Sequence, residues 1–489
     1  VSAGLQRFLS VPDKPLAVRS SGLFEDMLMV PFSGIYDTYL IPNSHPDPVE
    51  RLRQLQDAIR LTYASLFSPK ARSYFEAARY KIDEERMAIV IQEVVGIRRG
   101  RWFYPPISGT AQSHNYYPVA YLKPEDGLCN AALGLGRWVV EGGDTFRFAP
   151  GYPKLEIIAQ EHRVANSQRR FIAIDLDRAS PDLLAGEDAG LAELDIEEAE
   201  GTPEFPMVAS TFDLADRRLV PGVSARGPRI LDFANILQHE ALPFAQAVEG
   251  VLEVGSNSMG IPIEIEYAVN LEEASGIPAL YLLQIKPLIQ NANKVAVDLG
   301  NVSREECVLA TDRAMGNGRD VSIRDLVFVV PETFDSEATQ EIAQEIAQLN
   351  ESLQREKRKY VLIGPGRWGT RDRRLGIPVS FMQISGARVI VEADLEGFRV
   401  EGSLGSHFFH NVTSMNIGYF TVPWDSPSAF VNWDFLQSCL PERRTAHCVH
   451  LRFDEPLEIL MDGRKSSAAV KKTAAALTAG PDSDNIACE

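Results

Sequence analysis

Hydrophobic and polar positions follow several rhythms along the chain. Over residues 16–37 short apolar runs alternate with Ser, Gly and Pro, as strands joined by tight loops do. Residues 48–63 change to helical spacing, with Leu52, Leu55, Ile59 and Tyr63 on one side. Ser68-Pro69 then reads as an N-cap followed by Pro at the first helical position, opening a second helix to about residue 80. Residues 87–95 form a compact β-branched run, the pattern of a buried strand. Helical periodicity returns over 231–254, and 262–268 and 279–288 predict two strands separated by a turn. Polar, Asn- and Ala-containing sequence at 290–300 predicts a domain boundary. Residues 336–360 make an amphipathic helix with Ile342, Ile346, Leu349 and Leu353 on one face. A short strand at 360–363 and further strand-like runs follow to residue 460, with no internal repeat.

Composition narrows the class. A chain of 489 residues predicts roughly three domains. At 45% hydrophobic and 24% charged it is globular rather than fibrous, disordered or membrane-embedded, and no apolar run is long enough to span a bilayer. Basic residues number 49 against 67 acidic, a formal charge of −18, which opposes general nucleic-acid binding. A nucleotide held by a few residues and a metal ion escapes that argument. Nine acidic and no basic residues between 181 and 206 predict a solvated loop. Five cysteines, odd in number and far apart, argue against a disulfide framework and for the reducing cytoplasm. The start at Val1, without Met or signal region, reads as a truncated N-terminus.

The chemistry concentrates in Pro262-Ile-Glu-Ile-Glu-Tyr-Ala268 and Leu280-Tyr-Leu-Leu-Gln-Ile-Lys-Pro287. Alternate strand side chains share a face, so Glu264 and Glu266 point one way, as do Gln284 and Lys286. Paired antiparallel, the two strands offer hard oxygen ligands suited to Mg²⁺ beside a cation able to neutralise a phosphoryl group. An exposed strand face laced with Glu/Lys pairs is the competing reading.

Context favours the first. Leu16-Ala-Val-Arg-Ser-Ser-Gly-Leu-Phe-Glu-Asp26 resembles the VRSSA..ED segment of the nucleotide-binding domain of the phosphoenolpyruvate synthase and pyruvate phosphate dikinase family. Phe32-Ser-Gly-Ile-Tyr-Asp-Thr-Tyr39 and Ala58-Ile-Arg-Leu-Thr-Tyr-Ala-Ser-Leu-Phe67 resemble its next two segments. Ile91-Gln-Glu-Val-Val95 is similar to its strand bordering the adenine, and Ala132-Leu-Gly-Leu-Gly-Arg-Trp-Val-Val-Glu-Gly142 to its GLGE segment. Glu264-Ile-Glu-Tyr267 and Leu283-Gln-Ile-Lys-Pro287 resemble its DIEW and LQARP signatures, so six ordered matches span about 16–290.

The resemblance implies an α+β architecture: an ATP-grasp fold of two subdomains clamping ATP and Mg²⁺ over 1–295, followed by a C-terminal α/β domain over 296–465 and a flexible tail over 466–489. It implies that Arg19 contacts the phosphates, that Glu266 and Gln284 bind Mg²⁺, that Glu264 takes the place of the family's Asp, and that Lys286 takes that of its catalytic Arg. Gln92, Glu93 and Val95 would border the nucleotide. The family phosphorylates a histidine on a swivelling domain, whose T-x-H-A segment is missing here; the acceptor would lie in a missing segment, in a partner chain, or at His407. Lys286 for Arg keeps the charge but loses the planar fork. The resulting expectation is a cytoplasmic ATP-dependent, dikinase-like phosphotransferase module, with no nucleic-acid or membrane partner. Its rival is an ATP-binding sensor that transfers nothing.

Three further patterns compete with bland alternatives. Val361-Leu-Ile-Gly-Pro-Gly-Arg-Trp-Gly369 contains G-x-G-x-x-G after a strand, but no helix follows to hold a pyrophosphate; with Arg367, Arg371, Arg373 and Arg374 it is an anion loop or a solvated turn. His407 and His410 begin a helix after Gly405-Ser406. His447 and Cys448 sit in a β-like run that turns them to opposite faces, which opposes a zinc site, and His114 lies in a polar loop.

Overall fold

The computed structural model describes residues 2–9, 14–25, 33–78, 80–116, 118, 121–156, 160–271, 276–288, 297–300, 302–403, 405–415, 417–463 and 465–473. Helices and sheets are mixed throughout, an α+β protein, and the chain divides into two compact units. The first comprises 1–289 with 405–407, the second 290–404 with 408–489. The boundary expected at 295/296 lies outside the described residues.

In the first unit, β1 (Leu16–Gly22) is the middle of a three-stranded antiparallel sheet in the order β2-β1-β3, with β2 (Tyr39–Ile41) and β3 (Met87–Glu93). Leu16 and Val18 of β1 are buried with Leu55 and Ala58 of α1 (Pro48–Ser65), which leaves Ala17, Arg19 and Ser21 on the other, more open face. The Asp47 carboxylate accepts from Val49 N and starts α1. α2 (Pro69–Ala78) starts as its spacing predicts, with Ser68 Oγ accepting from Ala71 N at 3.1 Å.

Strands β4 (Ile107–Gln112), β5 (Leu128–Ala132) and β6 (Phe146–Phe148) follow. Next come β7 (Arg170–Asp175) and β8 (Leu191–Asp195), an antiparallel pair. β8 corrects the acidic loop expected over 181–206. Leu191 is buried, while Glu193 and Asp195 turn outward, where both pair with Arg170 at 2.8 and 3.2 Å. Carboxylates that repel along the chain find a basic partner across the ladder. The periodicity over 231–254 also divides, into a single turn at Ala234–Leu237 and α3 (Phe244–Met259), because Pro243 interrupts it. Strands β9 (Ile263–Asn270) and β10 (Ala279–Pro287) complete a five-stranded antiparallel sheet in the order β10-β9-β4-β5-β6.

The second unit is built on two sheets sharing one apolar core. β11 (Cys307–Thr311) belongs to one; β12 (Asp325–Val329) leads through α4 (Thr339–Arg355) into β13 (Tyr360–Pro365) in the other. α4 buries Ile342, Ile346, Leu349 and Leu353. β14 (Ala387–Ala393), α5 (His407–Ser414, its first residue grouped with the first unit) and β15 (Gly418–Val422) extend the parallel run β12-β13-β14-β15. β16 (Cys448–Arg452) pairs antiparallel with β12, and β17 (Glu458–Asp462) and β18 (Ser467–Lys471) close the other sheet beside β11. β18 corrects the tail expected from residue 466. Ser467-Ala-Ala-Val-Lys471 is hydrogen-bonded on both sides with Ala468, Ala469 and Val470 fully buried, small apolar residues that fit a crowded interior strand. Residues 474–489 lie outside the described residues.

At the start of β12 the buried Asp325 accepts from Arg358 and lies 2.8 Å from His450 Nε2, while Arg358 also reaches Glu442 at 3.0 Å. Asp325, Glu442 and His450 come within 4.8 Å of one another, a spacing that suits a cation, and Arg358 already supplies one. Burial raises the Asp325 pKa, but His450 and Arg358 outweigh it and hold the carboxyl below its usual value. Asp325→Asn should lower the unfolding free energy of this unit by about 3 kcal/mol, read by urea denaturation. A depressed carboxylate contributes stability above its unfolded pKa and loses it as pH falls, so the gap between wild type and variant should narrow below about pH 4.

Candidate functional site

The site grows from one alternation. In β9, Ile263, Ile265 and Tyr267 face the apolar core, so Glu264 and Glu266 face the opposite side of the sheet. β4 alternates in the same way, Ile107 and Ala111 toward the core and Ser108, Thr110 and Gln112 away from it. Register then aligns polar residues across the strands. Glu266 stands opposite Gln284 on β10 and Thr110 on β4; Thr110 stands opposite Asn130, and Asn130 opposite Arg147. One row thus crosses all five strands. The adjacent row is Lys286, Glu264, Gln112 and Leu128.

Hydrogen bonds tie these rows together. Lys286 Nζ lies 2.5 Å from Glu266 Oε1, Gln112 Nε2 donates to Glu264 Oε2 at 2.6 Å, and Arg19 of β1 donates to Gln284 Oε1 at 2.6 Å. Asn130 Nδ2 donates to Thr110 Oγ1 at 3.1 Å. From the core side the Tyr267 hydroxyl donates to Asn130 O at 2.8 Å, a reach that the missing side chain of Gly109 permits. The segment 405–407 is grouped with this unit, and His407 Nε2 lies 3.4 Å from Glu266 Oε1.

Electrostatics separate the two carboxylates. Burial pushes both upward, yet Lys286, His407 and Arg19 bring Glu266 well below its ordinary value. Glu264 stays raised, because burial and the neighbouring Glu266 exceed what Lys286 and Gln112 return. His407 is lowered by burial and by Lys286, with Glu266 acting in the opposite direction. The arrangement presents one firmly ionised carboxylate, an amide oxygen and two cations on a single face, equipment for holding a metal ion and an anionic group together.

The structure therefore brings Arg19, Glu264, Glu266, Gln284 and Lys286 together. On β3, Gln92 stands opposite Ala17 and shares the Arg19 face; Glu93 turns to the other face, 3.7 Å from Lys14, and Val95 follows the strand half-buried. His114 packs its ring on Tyr116 at 5.1 Å. His447 and Cys448 open β16, where the His447 amide donates to Glu345.

The glycine loop is a turn with its own bonding. Gly366 N donates to Ala393 O, Arg367 N to Leu375 O, Trp368 N to the buried Glu392 carboxylate and Gly369 N to Ile377 O, so these amides have no capacity for a phosphate. Arg374 pairs with Asp372 at 2.7 Å.

Thr110, Gln112, Asn130 and Arg147 escaped the sequence reading. In Ser-Gly-Thr-Ala-Gln the core-facing residues are Gly and Ala, so the alternation carries little hydrophobic contrast. The available signal was the period of two itself, shared with the Glu-Ile-Glu strand.

These features suit a nucleotide-binding class of protein, and the sequence comparisons show the family. The chain belongs to the pyruvate phosphate dikinase AMP/ATP-binding domain family, whose signature matches residues 3–306. It is similar to the phosphoenolpyruvate synthase of Aeropyrum pernix, 25% identical over 287 residues that make up 58% of this chain and 29% of that protein. It is also similar to the uncharacterized phosphotransferase YvkC of Bacillus subtilis, 31% identical over 136 residues, 27% of this chain and 14% of that one. The chain thus spans less than a third of either relative's length.

A Cβ at Gly109 would fall 1.9 Å from Asn130 O and 2.5 Å from the Tyr267 hydroxyl. Gly109→Ala should therefore cost about 1–3 kcal/mol, seen as a lower melting temperature. Tyr267→Phe, which removes the hydroxyl without adding bulk, should cost less, about 1 kcal/mol.

Proposed function

We propose that the first unit is an ATP-grasp module whose two subdomains hold ATP, and that it works as an ATP- and Mg²⁺-dependent phosphotransferase acting on a histidine outside the family-matched region. One observation carries this reading. Glu266 and Gln284 lie side by side in the register of a largely buried sheet face, with Lys286 and Arg19 bonded to them.

The residues divide the work. Glu266 and Gln284 would hold Mg²⁺, Glu266 through a carboxylate that Lys286, His407 and Arg19 hold well below its ordinary pKa. The metal supplies charge neutralisation for a phosphoryl group in flight. Arg19, on the open face of β1, is placed to contact the phosphates, and Lys286 offers a second cation once it exchanges Glu266 for phosphate oxygen. Glu264, bonded to Gln112, supports the cofactor site from the adjacent row. Gln92, Glu93 and Val95 border the nucleotide base, Gln92 through its side chain and the others through their backbone. The acceptor histidine belongs to a segment or partner beyond the matched region. His407 is the alternative within this chain, an imidazole whose Nε2 lies 3.4 Å from Glu266 Oε1. We further propose cytoplasmic residence; among the described residues no helix is long and apolar enough to cross a membrane.

An ATP sensor that transfers nothing is the second reading, favoured by Lys286, whose ammonium lacks the bidentate fork that positions a phosphoryl group. Incubation with γ-labelled ATP and Mg²⁺ separates the two. Transfer predicts an acid-labile, base-stable label that Glu266→Gln reduces about a hundredfold. Tight ATP binding with no label on this chain or on an added histidine-bearing partner establishes the sensor. Label that survives His407→Ala places the acceptor elsewhere.

A further inference from the structure

Gln112 sits where a nonpolar residue would cost less. It is 1% exposed, and its Oε1 has no hydrogen-bond partner among the described residues. A buried amide oxygen left this way costs about 1–3 kcal/mol. Nε2 donates to Glu264 Oε2 at 2.6 Å, which leaves the oxygen as the free end of the amide.

The neighbours of that oxygen decide what it is for. Gln112 lies on the polar face of β4, in the row of Glu264 and one step from the row holding Glu266 and Gln284. Glu264, Glu266 and Gln284 all bear oxygen, and Lys286, which stands opposite Glu264, already pairs with Glu266. A neutral carbonyl oxygen adds a hard ligand without adding a third negative charge to a face that carries two carboxylates. Mg²⁺ and Mn²⁺ take six oxygens, more than Glu266, Gln284 and phosphate supply by themselves.

We propose that Gln112 is a third protein oxygen donor to the divalent cation of this site, held in place by Glu264. The inference rests on the reading of Glu266 and Gln284 as metal ligands and adds to it a donor from a different strand. Glu264 then acts as a positioning residue, since its carboxylate fixes the amide rather than meeting the metal.

The test is Mn²⁺ binding to the full chain, followed by electron paramagnetic resonance in the presence of ATP. Gln112→Met, close in shape and lacking the oxygen, should weaken Mn²⁺ binding about tenfold, with ATP affinity in the absence of metal unchanged. Gln112→Leu, which likewise removes the oxygen, should weaken Mn²⁺ binding to the same extent. Mn²⁺ affinity unchanged in Gln112→Met, with or without a raised melting temperature, overturns the proposal. If Gln112→Met does not fold, Gln112→Leu decides, and unchanged Mn²⁺ binding in that variant overturns it. Wild-type protein that binds no Mn²⁺ with ATP, or a Glu266→Gln variant that binds it normally, overturns the underlying reading of the site instead.

Discussion

The ion pair between Lys286 and Glu266, 2.5 Å apart, is the interaction around which the first unit is organised. Two carboxylates two residues apart on a largely buried strand face repel one another and lose hydration, and a fold that left them so would be several kcal/mol less stable. The structure answers with a cation from the edge strand β10, a second from β1 through Gln284, and an amide from β4 on Glu264. Each partner is delivered by register. A slip of one residue in any of these ladders would turn its partner into the apolar core.

The opposite face of the same sheet makes this precision possible. Ile263, Ile265 and Tyr267 of β9 pack with Ile107, Ala111, Cys129, Ala131 and Phe148 against α3, a dry layer with little room to shift. Tyr267 links the two faces, buried with the core yet donating through the gap at Gly109 to the backbone of Asn130. A polar face built on packed strands holds its side chains more rigidly than one built on loops. The second unit spends its buried charges differently. Asp325, Arg358 and His450 neutralise one another at the start of β12, and Glu392 fastens the glycine loop through Trp368 and Ser403. These networks are internally satisfied, which suits scaffolding rather than ligand capture.

The sequence was legible wherever hydrophobic contrast was strong. Helices starting at Pro48 and Pro69, the strand at 87–93 and the amphipathic helix ending at Arg355 all follow from spacing and caps, although that strand is half-exposed rather than buried as its β-branched run predicts. It was illegible where local composition pointed one way and pairing another. The acidic stretch holds a strand because Arg170 sits across the ladder from it, and the Ala-rich stretch after residue 466 holds one because two strands flank it.

For the candidate site the division runs through the residues themselves. Glu264, Glu266, Gln284 and Lys286 were readable, since a period of two on one strand is a local property of the chain. Arg19 had to be inferred from the resemblance, because its partner Gln284 is 265 residues away. Thr110, Gln112, Asn130 and Arg147 belong to the same polar face only through the order β10-β9-β4-β5-β6, and no local pattern encodes which strands become neighbours. The sequence alone therefore determined which carboxylates, amides and cations alternate along each strand. Only the tertiary structure decided which of them share a face and which carboxylate is pushed up and which held down in pKa, because strand order, register and burial arise from contacts between segments far apart in the chain.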